Sequence, residues 1–346
     1  MNFSSDNATG VSPQIMAALA AANEGHAMAY GDDGVTKAAE AAFAELFGRE
    51  LAVFPVTTGT AANALALSAL TPPWGQVYCH RNAHIEEDEA GAPELFSGGA
   101  KLALLDGAHG KIETETLATA LGGAGFGVQH HSQPSALSLT QATEAGTIYR
   151  PDEIAALAAL AHDRGLSVHM DGARFANALA HLGCSPAEAT WQAGIDVLSF
   201  GATKNGAMAA EAVIFFDPEA ADDFLYRRKR GGHLLSKMRY LSAQLVAYLR
   251  DDLWLENARH ANARAKTLSQ GLAALDGAHL VHPVQANEIF IYLPTAILEA
   301  LEAGGVGFHR WGPAADGDGG QARFVCAFNT EQGDVDRALQ IAQDAA

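Results

Sequence analysis

Between residues 50 and 216, short apolar runs alternate with longer stretches of helical spacing, and this alternation restricts the fold more than any other feature of the chain. Runs of strand length stand at 51–56, 77–79, 100–105, 136–140, 168–170, 195–200 and 212–216. Helical stretches fall between them at 61–70, 113–121 and 152–164, and a further one opens at Arg174. A chain that alternates in this way forms a mostly parallel sheet with right-handed crossovers. The expected fold class is α/β, with a mostly parallel central sheet. Such sheets bind ligands beyond the carboxyl ends of their strands, so the residues that follow each apolar run are the first place to look for chemistry.

The pattern changes near Gln244, where helices are predicted over 234–250 and 254–274, followed by strands over 279–282, 288–293 and 322–328 and a closing helix over 331–344. A length of 346 residues suits one large unit and one smaller one. We expect a large domain over 1–250, which includes a polar extended arm at 1–12, and a smaller C-terminal α/β domain over 251–346. Ser12-Pro13 predicts a helix start, with serine at the N-cap and proline in the first turn. Thr36 to Phe47 reads as an amphipathic helix with Ala39, Phe43, Leu46 and Phe47 on one face. Another helix is expected after Pro186. Residues 312–321, GPAADGDGGQ, are the nearest approach to low complexity.

A net charge of −18 argues against nucleic acid or an anionic membrane surface as partner, since both require a basic face. Three widely separated cysteines, Cys79, Cys184 and Cys326, follow no metal or redox spacing and suggest a reducing compartment. The first residues lack the basic and apolar regions of a secretory signal, and no apolar run is long enough to span a bilayer. A cytoplasmic location is expected.

Four strand ends carry reactive residue types. The run 51–56 leads into Thr57-Thr58-Gly59-Thr60 and then an Ala/Leu helix, which places free backbone N–H groups and a helix dipole together, an arrangement suited to phosphate. The run 77–79 leads into HRNAHIEEDEAGAPE at 80–94. This segment lacks the His-Glu-x-x-His pairing of zinc helices, and no metal is expected; His84 can instead face a planar cofactor. Asp171 ends the run 168–170. Lys204 follows 195–200 among Gly201, Ala202, Asn205 and Gly206, small neighbours that let a bulky group approach an amine able to act as a nucleophile. A lysine nucleophile, a buried carboxylate, a phosphate cradle and a stacking ring together suit pyridoxal phosphate. Asp171 and Lys204 can reach opposite ends of its ring, and Arg174 can turn towards the ring oxygen.

The set Ser5-Asp6-Asn7, Gly31-Asp32-Asp33, Thr58-Gly59-Thr60-Ala61-Ala62-Asn63, Ala83-His84-Ile85, Glu89-Ala90-Gly91-Ala92, His169-Met170-Asp171-Gly172-Ala173-Arg174 and Lys204 resembles the low-specificity L-threonine aldolases. These are pyridoxal-phosphate enzymes of the β-eliminating lyase group, with the aspartate-aminotransferase-type fold (fold type I). The resemblance covers essentially the whole chain. It implies that Lys204 is the Schiff-base lysine and that Asp171 pairs with the ring nitrogen. It assigns the phosphate to Gly59, Thr60 and Thr203 beside Thr58, and the stacking role to His84. Arg174 would bond the ring oxygen and help hold the substrate carboxylate, with Arg323 and Ser5 as its main grip. Lys229 and Arg239 match basic residues shared across a subunit interface, which implies a homotetramer built as a dimer of dimers.

The sequence departs from the family pattern at Asn205, where many relatives have glycine, and in the longer basic segment 227–239, which leaves Lys229, Arg230, Lys237 and Arg239 open for the shared role. The base that takes the β-hydroxyl proton is left among His84, His130, His131 and a water they hold. The reaction implied is retro-aldol cleavage of threonine or a related β-hydroxy-α-amino acid to glycine and an aldehyde. Cleavage of phenylserine-type substrates and β-elimination on the same scaffold are the alternatives.

Overall fold

The Val-, Ile-, Leu- and Phe-rich runs become seven strands: β1 (Ala52–Val56), β2 (Gly75–His80), β3 (Lys101–Leu105), β4 (Gln133–Thr140), β5 (Ser167–Gly172), β6 (Val197–Gly201) and β7 (Glu211–Phe215). In the computed structural model, which describes residues 1–312 and 318–346, they form one sheet of order β1-β7-β6-β5-β4-β2-β3. Neighbours from β3 to β6 are parallel, and β7 is antiparallel to both β6 and β1. β5, β6 and β7 are almost wholly buried, as expected of strands covered on both faces. The helix Gly59–Leu70 is buried all round through Ala61, Ala62, Leu65, Ala66 and Leu67, which marks a helix inside the core rather than on its surface.

The second sheet contains β8 (His279–Leu280), β9 (Glu288–Pro294), β10 (His309–Trp311) and β11 (Gly319–Val325), in the order β10-β11-β9-β8 and antiparallel throughout. The strand expected at 322–328 thus lies a few residues earlier. Residues 313–317 of the low-complexity segment lie outside the described residues. The 21-residue helix Leu253–Ala273, about 30 Å long at 1.5 Å per residue, joins the two cores. Trp254 at its start packs on Phe175, Phe200 and Tyr248, and Leu268 and Leu272 near its end enter the core under the small sheet.

Several elements differ from expectation. The N-terminal arm is not simply a polar strap. Phe3 is fully buried in the core of the small sheet, its N–H donates to the Gly307 carbonyl at 2.7 Å, and its carbonyl accepts from the Val325 N–H at 2.7 Å. The start of the arm is therefore held by the C-terminal unit. The helix expected over 234–250 begins only at Arg239, because Gly231 and Gly232 end the preceding helix Phe224–Arg230, with Gly232 at φ 80°. The helix expected after Pro186 is reduced to a single 3-10 turn, Trp191–Ala193. That segment is a series of turns, with the Thr190 hydroxyl donating to the Pro186 carbonyl at 2.6 Å and the Trp191 Nε1–H donating to the Phe47 carbonyl at 3.0 Å. Ser12 stands at its N-cap position, but its hydroxyl bonds Gln14 Oε1 rather than a helix N–H. Among the described residues, no helix is long and apolar enough to cross a membrane.

His169 ties the middle of the large sheet together. Its ring nitrogens lie 2.9 Å from Ser138 Oγ on β4 and 2.9 Å from Ser199 Oγ on β6. Burial pushes its imidazole down to about 4, against a smaller opposing effect of Asp171. The folded protein keeps this histidine neutral where the unfolded chain would protonate it, below pH of about 6.5. The stabilisation is complete above that pH and is lost as pH falls towards 4, to a total of about 3 kcal/mol. We expect the denaturation midpoint to fall between pH 7 and pH 5, and to fall less in His169→Gln.

Candidate active site

Thr58 caps the helix Gly59–Leu70, its Oγ1 accepting from the Ala61 N–H at 3.2 Å. The first N–H groups of a helix have no partner within it, so those of Gly59 and Thr60 are left at the end of β1. They border a cavity of about 240 Å³ that is also lined by His84, Asp171, Thr203 and Lys204. A second cavity, of about 410 Å³, adjoins the first, with His84 and Lys204 lining both. Ser5, Arg174 and Arg323 line the second.

Lys204 sits on the single turn Thr203–Asn205 just past β6. Asn205 explains the departure from glycine. Its Nδ2 donates to Tyr248 Oη at 2.7 Å and to the Trp254 carbonyl at 2.8 Å, and its own carbonyl accepts from Asn257 Nδ2 at 2.9 Å. The turn that bears the lysine is thereby fastened to two helices. Gly206 then adopts φ 111°, a conformation that a side chain would strain, and a Cβ there would meet Asn257 at 3.0 Å.

Asp171 is the penultimate residue of β5, in register with Ser199 of β6. Its Oδ1 accepts from the Ala173 N–H at 2.9 Å and its Oδ2 from Asn63 Nδ2 at 2.8 Å. It does not cap the next helix, Phe175–Leu182, whose N-cap is Arg174. The same Asn63 amide donates to Glu89 Oε1 at 2.9 Å, and Glu89 Oε1 lies 2.8 Å from His84 Nδ1. His84 is thus held through Nδ1, which leaves Nε2 for the cavity. The hydrogen bond to Glu89 raises the His84 imidazole above its usual value, and burial raises Glu89.

Arg174 is partly buried and largely committed. Its Nε and Nη2 donate to the two Asp6 oxygens at 2.9 and 3.1 Å, and its Nη1 lies 3.1 Å from Glu288 Oε2. The last contact is an ion pair without hydrogen-bond alignment, so Glu288 Oε2 remains unpartnered. Burial would raise Asp6, but the charges of Arg174 and Lys204 hold it below the usual carboxylate range. Arg323 is freer. It stacks 4.4 Å over Trp311, and among the described residues it reaches only the Ser4 carbonyl, at 3.4 Å, and its Nε is buried without a partner.

Four predicted residues are not brought to these cavities. His130 and His131 precede β4 and lie beside Gln76 and Lys101, at the amino ends of the strands, whereas the cavities lie at the carboxyl ends. The expectation that either takes the hydroxyl proton is corrected: the length of β4 separates them from Lys204. Within one chain, Lys229 stands 5.0 Å from the Tyr30 ring, Arg239 donates to the carbonyls of Glu24 and Gly25, and neither lines either of the two cavities. The basic segment is nevertheless anchored at the phosphate end, because His233 Nδ1 lies 2.9 Å from Thr57 Oγ1.

Sequence reasoning missed three carboxylates, of which Glu211 and Glu288 are buried and Glu144 is partly buried. Glu211 lines the first cavity, and Glu144 and Glu288 line the second. Glu211 accepts from the Ala202 N–H at 2.7 Å and is pushed up by burial to about 7. Glu211 and Glu288 each open an otherwise apolar strand, and a lone carboxylate in that position is the signal that would have found them. Among the described residues, no group of three or more histidine, cysteine or carboxylate side chains is arranged to hold a metal ion.

The residues fit a phosphorylated pyridine aldehyde on two grounds. A Cβ added to Gly59 would meet no atom within 4 Å, so the space above the helix N-terminus is open to a ligand. Asp171 is 3% exposed and, among the described residues, makes no ion pair. A buried carboxylate without a counter-ion at a cavity wall suits a ligand cation.

The beta-eliminating lyase family model matches residues 2–296. The chain is 47% identical over 343 residues to the low specificity L-threonine aldolase of Pseudomonas aeruginosa, which covers 99% of this chain and 96% of that one. It is also 47% identical over 334 residues to the enzyme of the same name from a Pseudomonas species, covering 96% and 94% of the two chains. A solved threonine aldolase of Leishmania major superposes with a TM-score of 0.93 at 27% identity, over 99% of this chain and 98% of that one.

Proposed function

The chain belongs to the beta-eliminating lyase family, and from that membership we propose that it is a pyridoxal-phosphate-dependent aldolase that cleaves L-threonine and related β-hydroxy-α-amino acids to glycine and an aldehyde. The observation that carries this reading is the shared wall of the two cavities: Lys204 and His84 border both, with Asp171 and the helix N-terminus on one side and Arg323 on the other. The first cavity suits the cofactor and the second the amino acid.

When bound, the cofactor supplies an electron sink for the pair released as the Cα–Cβ bond breaks. Lys204 Nζ is the amine that would carry it. Asp171 would hold the ring nitrogen in its protonated form, and Asn63 fixes the orientation of that carboxylate. The N–H groups of Gly59 and Thr60, with the hydroxyl of Thr203, would take the phosphate, and His84 would cover the ring. Arg323, whose Nε lacks a partner, would grip the substrate carboxylate beside Ser5. Arg174, already committed to Asp6 and Glu288, shapes the wall and offers its remaining donor to the ring oxygen. Holding the carboxylate sets the scissile bond across the ring, and positioning of this kind supplies much of the rate.

The test is product analysis with the holoenzyme over a panel of threonine, allo-threonine and phenylserine. Acetaldehyde with equimolar glycine from threonine supports the reading, whereas ammonia with an oxo acid would replace it with β-elimination. Arg323→Ala is expected to raise KM for threonine by about 10- to 100-fold, the scale of hydrogen bonds to a charged group. Unchanged KM and kcat would remove Arg323 from the carboxylate site.

We assign the enzyme to the cytoplasm, where its three free cysteines would stay reduced. We also propose a homotetramer, a dimer of dimers in which Lys229, Arg239 or their basic neighbours serve an adjoining site. The exposure of Met28, Tyr30 and Tyr226 around that segment supports this, and light scattering of the purified protein tests it.

A further inference from the structure

With His130 and His131 at the opposite end of β4, the hydroxyl proton needs another acceptor. His84 is tied to Glu89 through Nδ1 at 2.8 Å, and its ring is assigned to cover the cofactor. The remaining candidate lies in the loop after β4. Glu144 Oε1 accepts from the His84 backbone N–H at 2.8 Å and from Thr140 Oγ1 at 3.0 Å. Among the described residues its Oε2 has no hydrogen-bond partner, and the side chain borders the second cavity. This carboxyl is fixed against the backbone of the residue that covers the cofactor, beside the cavity that suits the substrate.

We propose that Glu144 is the catalytic base that takes the proton of the substrate's β-hydroxyl. The O–H bond breaks and its proton passes to the Glu144 carboxylate. The O–H bonding pair becomes the second C–O bond of the aldehyde, and the Cα–Cβ pair stays with the glycine fragment, where the cofactor stabilises it. Glu144 then releases the proton to solvent through the second cavity, and the fragment takes one back at Cα. The proposal rests on the reading of the chain as an aldolase.

The surroundings of Glu144 suit this work. Burial pushes its carboxyl up to about 7, helped by the charge of Asp171 at the end of β5 and opposed by the bonds from His84 and Thr140. A group with that value can take a proton and return it near neutral pH. Of the other groups near it, Cys79 on β2 is pushed up to about 12 by burial and stays neutral, as does Tyr149, which burial also raises. Arg174 is the permanent cation on this side, and its charge is held by Asp6 and Glu288. Across the cavity stand Lys204 and Arg323.

Glu144→Gln keeps an oxygen for the His84 N–H but cannot take a proton. Cleavage of threonine by the holoenzyme variant is expected to fall by about 10²- to 10⁴-fold in kcat, the usual contribution of a general base. Glycine has no hydroxyl, so its binding, followed by the visible spectrum of the bound cofactor, should stay unchanged. The wild-type kcat should fall as pH drops through about 7, because protonated Glu144 is inactive, and this limb should vanish in Glu144→Gln. Glu144→Asp should restore part of the rate. Wild-type turnover in Glu144→Gln would overturn the proposal. So would a parallel loss of glycine binding and turnover without recovery in Glu144→Asp, which would indicate a purely structural role. A wild-type enzyme that releases no aldehyde from threonine would instead overturn the aldolase reading.

Discussion

Lys204→Ala is expected to abolish both the visible absorbance of bound pyridoxal phosphate and threonine cleavage, with turnover reduced by ~10³-fold or more, as when one member of a catalytic unit is removed. The fold should survive the change. The turn Thr203–Asn205 is held by the Asn205 side chain and by the backbone, not by the lysine: Asn205 bonds Tyr248 and Trp254, and the Gly206 carbonyl accepts from the Ser12 N–H at 2.8 Å. The denaturation midpoint of the cofactor-free variant should therefore match that of the cofactor-free wild type. Lys204→Arg should fail equally, since a guanidinium keeps the charge but never gives up its proton to become a nucleophile. Substantial cleavage by either variant would sink the assignment of Lys204.

Asp171→Asn is expected to weaken cofactor binding and to lower turnover by about 10²- to 10³-fold, the scale on which removing one partner of a buried charge pair acts. The substitution is nearly isosteric, and the surroundings can adapt to it. The new amide oxygen can still accept from the Ala173 N–H, and a flip of the Asn63 amide brings its Oδ1 to the new amide nitrogen in exchange for the Nδ2 bond to Glu89. What disappears is the negative charge opposite the ring nitrogen. Cofactor affinity measured by dialysis and absorbance, compared with the rate at saturating cofactor, separates weak binding from slow chemistry. If Asp171→Asn turns over at the wild-type rate once saturated, the ring is not being held protonated by this residue.

Much of the site was legible from local pattern because it lies where a parallel sheet puts sites. Each strand end is a short-range feature: an apolar run, then a turn residue, then a helix. Thr58-Gly59-Thr60, His84, Asp171 and Lys204 each follow such a run, and β1, β2, β5 and β6 carry them to neighbouring cavities. The histidine pair was misread because His130-His131 also adjoins a strand, but at its start. A motif beside a strand has to be assigned to the correct end before it means anything. The helix expected over 234–250 failed for a similar reason. Apolar spacing continues through 234–238, but Gly231-Gly232 and the contact of His233 with Thr57 turn the backbone away.

Local pattern carries the alternation of elements and the mostly parallel sheet, and it puts a lysine, an aspartate and a Thr-Gly-Thr turn at strand ends, because period, turn chemistry and helix starts are set by residues a few positions apart. Which carboxylates meet those residues is fixed by contacts distant in the chain. Asp6 meets Arg174 across 168 positions of chain, Asn63 joins Glu89 to Asp171, and Glu144 reaches the backbone of His84. A carboxyl group in sequence is an ordinary solvated charge. Burial and its neighbours make it a clamp, an orienting group or a base near neutral pH, and both are fixed by contacts that no local pattern carries.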